Sequence, residues 1–237
     1  MMQEDVSQGS SVWDSPRPRR FVGRSAVGIV PRPSMTRRWP IVDGLVWQRH
    51  LTAITGPVAM RPILFQLGCF IASGDTFLGL PVRPHSSMYV SDRVTQAPLD
   101  GRMAHFRRLY LHGYPMAAIS LMHELDPIGR LHAVVEEWPH PQVVLLDALS
   151  CVPNESKTAD AFLKSFMDDH YCTVVFKPLY PETPLYSETI VEPEAHATLT
   201  EELTERGRRQ FDFSITESGK TQSFKIQLDE NEVFQRV

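Results

Sequence analysis

Cysteine is scarce in this chain: Cys69, Cys151 and Cys172 are three among 237 residues, odd in number and without CxxC spacing. That pattern excludes a disulfide framework and a cysteine-based zinc site, and it points to a reducing compartment, here expected to be the cytoplasm. Long apolar runs are missing too. Nothing approaches the roughly 18–20 apolar residues that a membrane-spanning helix needs, so no membrane contact is expected. The opening residues, MMQEDVSQGSSVWDSPRPRR, lack the charged-then-apolar order of a secretory signal. The nine histidines form no HExxH, so no metal site is expected. Ser86, Ser87 and Ser150 lack a GxSxG context, which argues against a nucleophile elbow.

The chain has an ordinary globular composition, 42% apolar and 22% charged, with a net charge of −4. The charge is unevenly spread. Residues 1–40 carry seven arginines, Arg17, Arg19, Arg20, Arg24, Arg32, Arg37 and Arg38, against Glu4, Asp5 and Asp14. The segment is thus about +4 and the remainder near −8 by that count. It is rich in Ser, Arg and Pro and has no apolar period, so it reads as a basic arm, partly irregular. Arg17, Arg19, Arg20, Arg37 and Arg38 are its candidate nucleic-acid contacts; the competing reading is a solvated chain end.

From residue 41 to 237 the texture is that of a folded domain. Asp43-Gly44 signals a turn, and Leu51–Thr55 is a short strand ending at Gly56. Ile63–Ser73 is apolar nearly all round, as suits a helix buried against a sheet. Ser87–Ser91 reads as a strand ended by Asp92. Residues 99–112 read as a helix whose His105, Arg107 and Arg108 form a solvated face, and residues 116–125 as another short helix. Val143–Leu146 is an apolar strand ending at Asp147, Thr158–His170 a helix, and Cys172–Phe176 a further apolar strand. Residues 178–206 read as a long loop plus a short charged helix. Phe211–Thr216, a turn at Ser218-Gly219, Ser223–Leu228 and Glu232–Val237 predict a hairpin with an added edge strand. Uniformly apolar strands alternating with helices predict a three-layer α/β domain around a mostly parallel sheet, closed by antiparallel strands.

The order of these pieces resembles the RecA-superfamily ATPases, and more narrowly the branch of RepA-type hexameric helicases and RadA/KaiC-like proteins. Ala72-Ser73-Gly74-Asp75-Thr76-Phe77-Leu78-Gly79 is similar to that branch's ASG-x-x-F-L-G segment. Val143-Val144-Leu145-Leu146-Asp147-Ala148-Leu149-Ser150 looks like a Walker B strand, and Tyr89-Val90-Ser91-Asp92 supplies a second acid near a strand end. The likeness spans residues 41–237. It implies that Asp147 stands where a relative holds the magnesium shell, that Asp92 lies near the catalytic glutamate position, and that Lys177 occupies a γ-phosphate sensor position.

The phosphate loop of such enzymes reads G-x-x-x-x-G-K-[ST], whose N–H groups, lysine and hydroxyl hold phosphate and magnesium. Here the matching stretch is Gly56-Pro57-Val58-Ala59-Met60-Arg61-Pro62-Ile63. Arg61 replaces the second glycine, Pro62 the lysine and Ile63 the hydroxyl residue. Proline removes a donor, and isoleucine cannot hold magnesium. The resemblance therefore implies a RecA-fold pseudo-ATPase that binds neither ATP nor magnesium and has no catalytic residues. It would act as a non-catalytic interaction or regulatory protein, in a homo-oligomer or with a RecA-like relative, linked to DNA replication or repair. Two alternatives stay open. One is an NTP-binding ATPase in which the Arg61 fork takes phosphate in an unconventional way. The other is a nucleic-acid module using the basic arm and the hairpin cations Arg206, Arg208, Arg209, Lys220 and Lys225. At the residue level, Pro62-Ile63 equally begins a buried helix with proline at its favoured first position. Asp92 and Asp147 could cap turns, or Lys177 could pair with either acid in place of a metal.

Overall fold

A computed structural model describes residues 39–57, 60–109, 113–138, 142–147, 172–178, 195–203, 209–228 and 233–237. The chain divides into two compact units, Met1–Thr36 and Arg37–Val237, and every described residue lies in the second. Arg17, Arg19, Arg20, Arg37 and Arg38 lie outside the described residues, as do Val58, Ala59 and the helix expected at 158–170.

In chain order, β1 (Pro40–Val42) and β2 (Val46–Trp47) form a small antiparallel pair whose turn carries Gly44 at φ +70°. Then come β3 (Leu51–Gly56), α1 (Pro62–Ser73), β4 (Ser87–Ser91), α2 (Gln96–Leu109), β5 (Met116–Ser120), α3 (Pro127–Glu137), β6 (Val143–Asp147) and β7 (Cys172–Pro178). β8 (Ala195–Leu203), β9 (Arg209–Glu217), β10 (Lys220–Leu228) and β11 (Phe234–Arg236) complete the set. Nine strands make one sheet, in the order β11-β10-β9-β8-β3-β7-β6-β4-β5. From β8 to β5 every pairing is parallel; β8, β9, β10 and β11 pair antiparallel.

Strand alternation sorts the core into two faces. Tyr89, Val143 and Leu145 belong to a cluster with α1 and α2, through residues such as Ile63, Phe65, Leu67 and Met103. Met88, Val90, Val144, Leu146 and Val175 belong to a second cluster with Leu131, Val134 and Val135 of α3. Covered on both sides, these strands need no polar face, which is why β6 reads as an unbroken apolar run. Gly68, in the middle of α1, lets the helix approach the sheet. A Cβ there would lie 3.0 Å from Met116 Cε and 3.1 Å from Leu145 Cδ1, and the Ser87 hydroxyl donates to Gly68 O at 2.9 Å.

Two glutamines act as pieces of backbone. Gln66 of α1 is buried; its Nε2 donates to Phe234 O at 2.9 Å and its Oε1 accepts from Phe234 N at 2.8 Å. Gln96 of α2 treats the sheet edge likewise: Nε2 donates to Ala118 O and Oε1 accepts from Ser120 N, both at 2.9 Å.

One expected helix is a strand, and part of the expected long connection is another. Residues 116–120 form β5, because parallel pairing with β4 over five residues outweighs the weak helical bias of Met-Ala-Ala-Ile-Ser. Within 178–206, residues 195–203 form β8, held between β3 and β9. The sequence reading also passed over α3. Its start is marked by Asp126, whose carboxylate accepts from Gly129 N at 2.9 Å, with Pro127 at the first position of the helix.

Candidate functional site

The parallel strands run the same way, so Gly56, Ser91, Ser120 and Asp147 all end at one edge of the sheet. In open α/β sheets that edge is where ligands bind. The junction from β3 into α1 crosses it, and three of its features follow from local chemistry.

First, three of the described junction residues offer no backbone donor outward. Pro57 and Pro62 have no N–H, and the N–H of Met60 is turned inward to Pro57 O at 2.8 Å. Second, Met60 and Ile63 face the core, both buried. Third, α1 starts with Pro62 in its first turn after Arg61, which already has helical dihedrals of φ −51° and ψ −35°. Gly56 has a packing reason of its own, since a Cβ there would fall 2.8 Å from Leu199 Cβ of β8.

Asp147 is the centre of the site. Along β6 it shares a face with Val143 and Leu145, the face that α1 covers. Tyr89 in β4 points to the same face and pairs with Leu145, one alternation back. The Tyr89 hydroxyl donates to Asp147 Oδ2 at 3.0 Å. Its ring stands edge-on to Phe65 of α1, centroids 5.3 Å apart, which fixes the phenol. Arg61 completes the set: its Nε lies 3.5 Å from Asp147 Oδ1. Asp147 is 3% exposed and Arg61 14%, so the pair is largely removed from water.

Burial pushes the Asp147 carboxyl up to about 6, against the pull of the Arg61 charge and the Tyr89 hydrogen bond. Asp92 adds a second negative charge that raises it further, and Arg93 opposes. Tyr89 is pushed up as well, first by burial and then by the carboxylate beside it. Asp92 itself has Oδ1 3.3 Å from Arg93 Nε, and its N–H donates to Asp147 O at 3.4 Å.

The structure thus brings Arg61, Asp147 and Asp92 to one place. The cation against Asp147 is Arg61. Lys177 pairs through β7 with Thr55, and its side chain lies outside the described residues. Sequence reasoning gave Tyr89 no role; the register of β4 beside β6 places it on the Asp147 face. The Ala72–Gly79 segment is a helix end and a turn. Gly74 caps α1 at φ +80°, its N–H on Phe70 O, and Leu78 and Gly79 both take positive φ between bridged Phe77 and Leu80. Among the described residues no group of three His, Cys, Asp or Glu could hold a metal ion, and no helix is long and apolar enough to cross a membrane.

No family model matches the chain, and no curated protein matches its sequence. Among solved structures it is similar to a KaiC-like protein from the hyperthermophilic archaeon Pyrococcus horikoshii. The match has 12% identity and a TM-score of 0.54, and covers 83% of this chain and 93% of that one. At that identity the likeness speaks to architecture alone. The fold is RecA-like: a mixed α/β domain with a large, mostly parallel sheet and antiparallel C-terminal strands.

Proposed function

We propose that this RecA-fold protein is a pseudo-ATPase of the RepA/RadA-like branch, with Gly56–Ile63 as a degenerate phosphate loop. In this reading it works by assembly, with itself or with a RecA-like relative, and not by turnover. The observation that carries the reading is the Arg61–Asp147 pair. In a working enzyme of this fold, the acid at the end of such a strand faces magnesium and the loop faces phosphate. Here a guanidinium sits against that acid. Phosphoryl transfer depends on positioned positive charge at the phosphates, and Pro62 and Ile63 supply neither ammonium nor magnesium ligand. The link to DNA replication or repair rests on the branch resemblance alone.

Thermal unfolding of the full chain with ATP, ADP and Mg·ATP up to millimolar concentration tests the reading. A ligand that binds the native state stabilises it by RT ln(1 + [L]/Kd), so the expected result is an unchanged Tm. A saturable rise with Mg·ATP would overturn the proposal. Light scattering tests the assembly: a strict monomer, alone and mixed with a RecA-like relative, would overturn that part.

A further inference from the structure

A second concave site lies at the other end of the sheet, beside the amino end of β5 and away from Asp147. It is a cavity of about 360 Å³ between the last turns of α1, the last turns of α2 and the Gly113–Met116 segment, with Trp138 in its wall. Its size falls within the range of small-molecule sites.

The chain has to leave space here. Gly113 packs directly on the end of α1, where a Cβ would lie 2.2 Å from Ala72 O, and the Tyr114 N–H donates to Ala72 O at 2.8 Å. Met103, Phe106 and Arg107 share one face of α2, at positions i, i+3 and i+4. Phe106 is pinned edge-on against Phe65 at 5.6 Å. The wall is therefore apolar and aromatic. Cys69, also in the wall, is buried, and burial pushes its thiol up, so it lines the cavity as a neutral group and not as a nucleophile.

Polar side chains in the wall are few: Ser73, Tyr114 and, as the charged one, Arg107. No Asp or Glu is among the described lining residues. The Ser73 hydroxyl is already used, donating to Phe70 O and accepting from Asp75 N. Arg107 is exposed at the rim and has no ion pair among the described residues. An apolar, aromatic cavity with an exposed cation at its rim suits a ligand with an apolar body and an anionic group.

We propose that this cavity binds an aromatic carboxylate, with its ring among Met103, Phe106 and Trp138 and its carboxylate on Arg107. The probe is 1-naphthoate, compared with 1-naphthalenemethanol, which keeps the ring and loses the charge. Titration of the full chain by calorimetry should show saturable naphthoate binding at least tenfold tighter than the alcohol. Arg107→Gln should abolish that preference, and Arg107→Lys should keep most of it. Quenching of tryptophan fluorescence by naphthoate should be lost in Trp138→Phe while the calorimetric binding persists. No saturable binding at millimolar naphthoate overturns the proposal. So does equal affinity for the alcohol, or a preference that Arg107→Gln leaves intact.

Discussion

Arg61 and Asp147 come from opposite sides of one junction and meet as an ion pair, Nε to Oδ1 at 3.5 Å, beneath the start of α1. The arginine belongs to the loop and the aspartate to the strand two places away in the sheet. Each answers the other's burial.

Replacing Arg61 by Met leaves the Asp147 carboxylate buried without its cation. Loss of one partner of a buried pair is costly, and Arg61→Met is expected to lower unfolding stability by about 3 kcal/mol near pH 8. The loss should shrink at pH 5, where Asp147 takes up a proton instead. Urea denaturation at the two pH values checks both statements.

Asp147 also sets a pH dependence. Its folded-state value of about 6 is above its ordinary 3.8, with burial the main cause and Arg61, Tyr89, Asp92 and Arg93 as the charged or titrating neighbours. The folded state therefore holds the proton more tightly. The stabilising contribution is complete below pH 4 and is lost as pH rises through 6. A shift of that size corresponds to about 3 kcal/mol. The stability difference between the native chain and Asp147→Asn, measured in urea from pH 4 to pH 7.5, should fall by that order. A flat difference would contradict the burial argument.

Gln96 covers the outer edge of the sheet. An uncovered edge strand is a template for pairing with another chain, and β5 is the last strand on its side. Gln96→Ala is expected to change stability by less than about 1 kcal/mol while promoting concentration-dependent self-association. Light scattering across a concentration series reads this; scattering that matches the native chain would show that the amide has no such protective effect.

Gln66→Leu keeps the bulk of the side chain and removes both bonds to Phe234. Buried groups left without partners are expensive, and a loss of about 2 kcal/mol is expected in urea denaturation. Gln66→Glu, which offers acceptors but no amide donor, should recover little of it.

Much of this architecture was written in periodicity. The apolar runs of β3, β4, β6 and β7 and the all-round apolar helix α1 announced a sheet covered on both faces, and Ser218-Gly219 announced the closing hairpin. What misled was context: Met116–Ser120 has helical bias, and only its pairing with β4 makes it a strand. The site divides the same way. Gly56, Arg61, Asp92 and Asp147 stood out by position in the chain. Tyr89 did not, because its role depends on which strand lies beside β6, and the strand order β7-β6-β4 is not a property of any local segment. Nor could spacing show that Arg61 would be the residue to meet Asp147, since a turn of backbone decides it.

The carboxamide of Gln66 waits for a residue 168 positions further along the chain. While the polypeptide is still being made, α1 can form and find the strands beside it, but it holds an unanswered amide in its middle until Phe234 emerges. The sheet is thus closed by β11, the last of its described strands in chain order. A chain stalled before that point would leave the Gln66 amide without its partner, so closure of the sheet is timed by the making of β11 and not by the completion of its central strands.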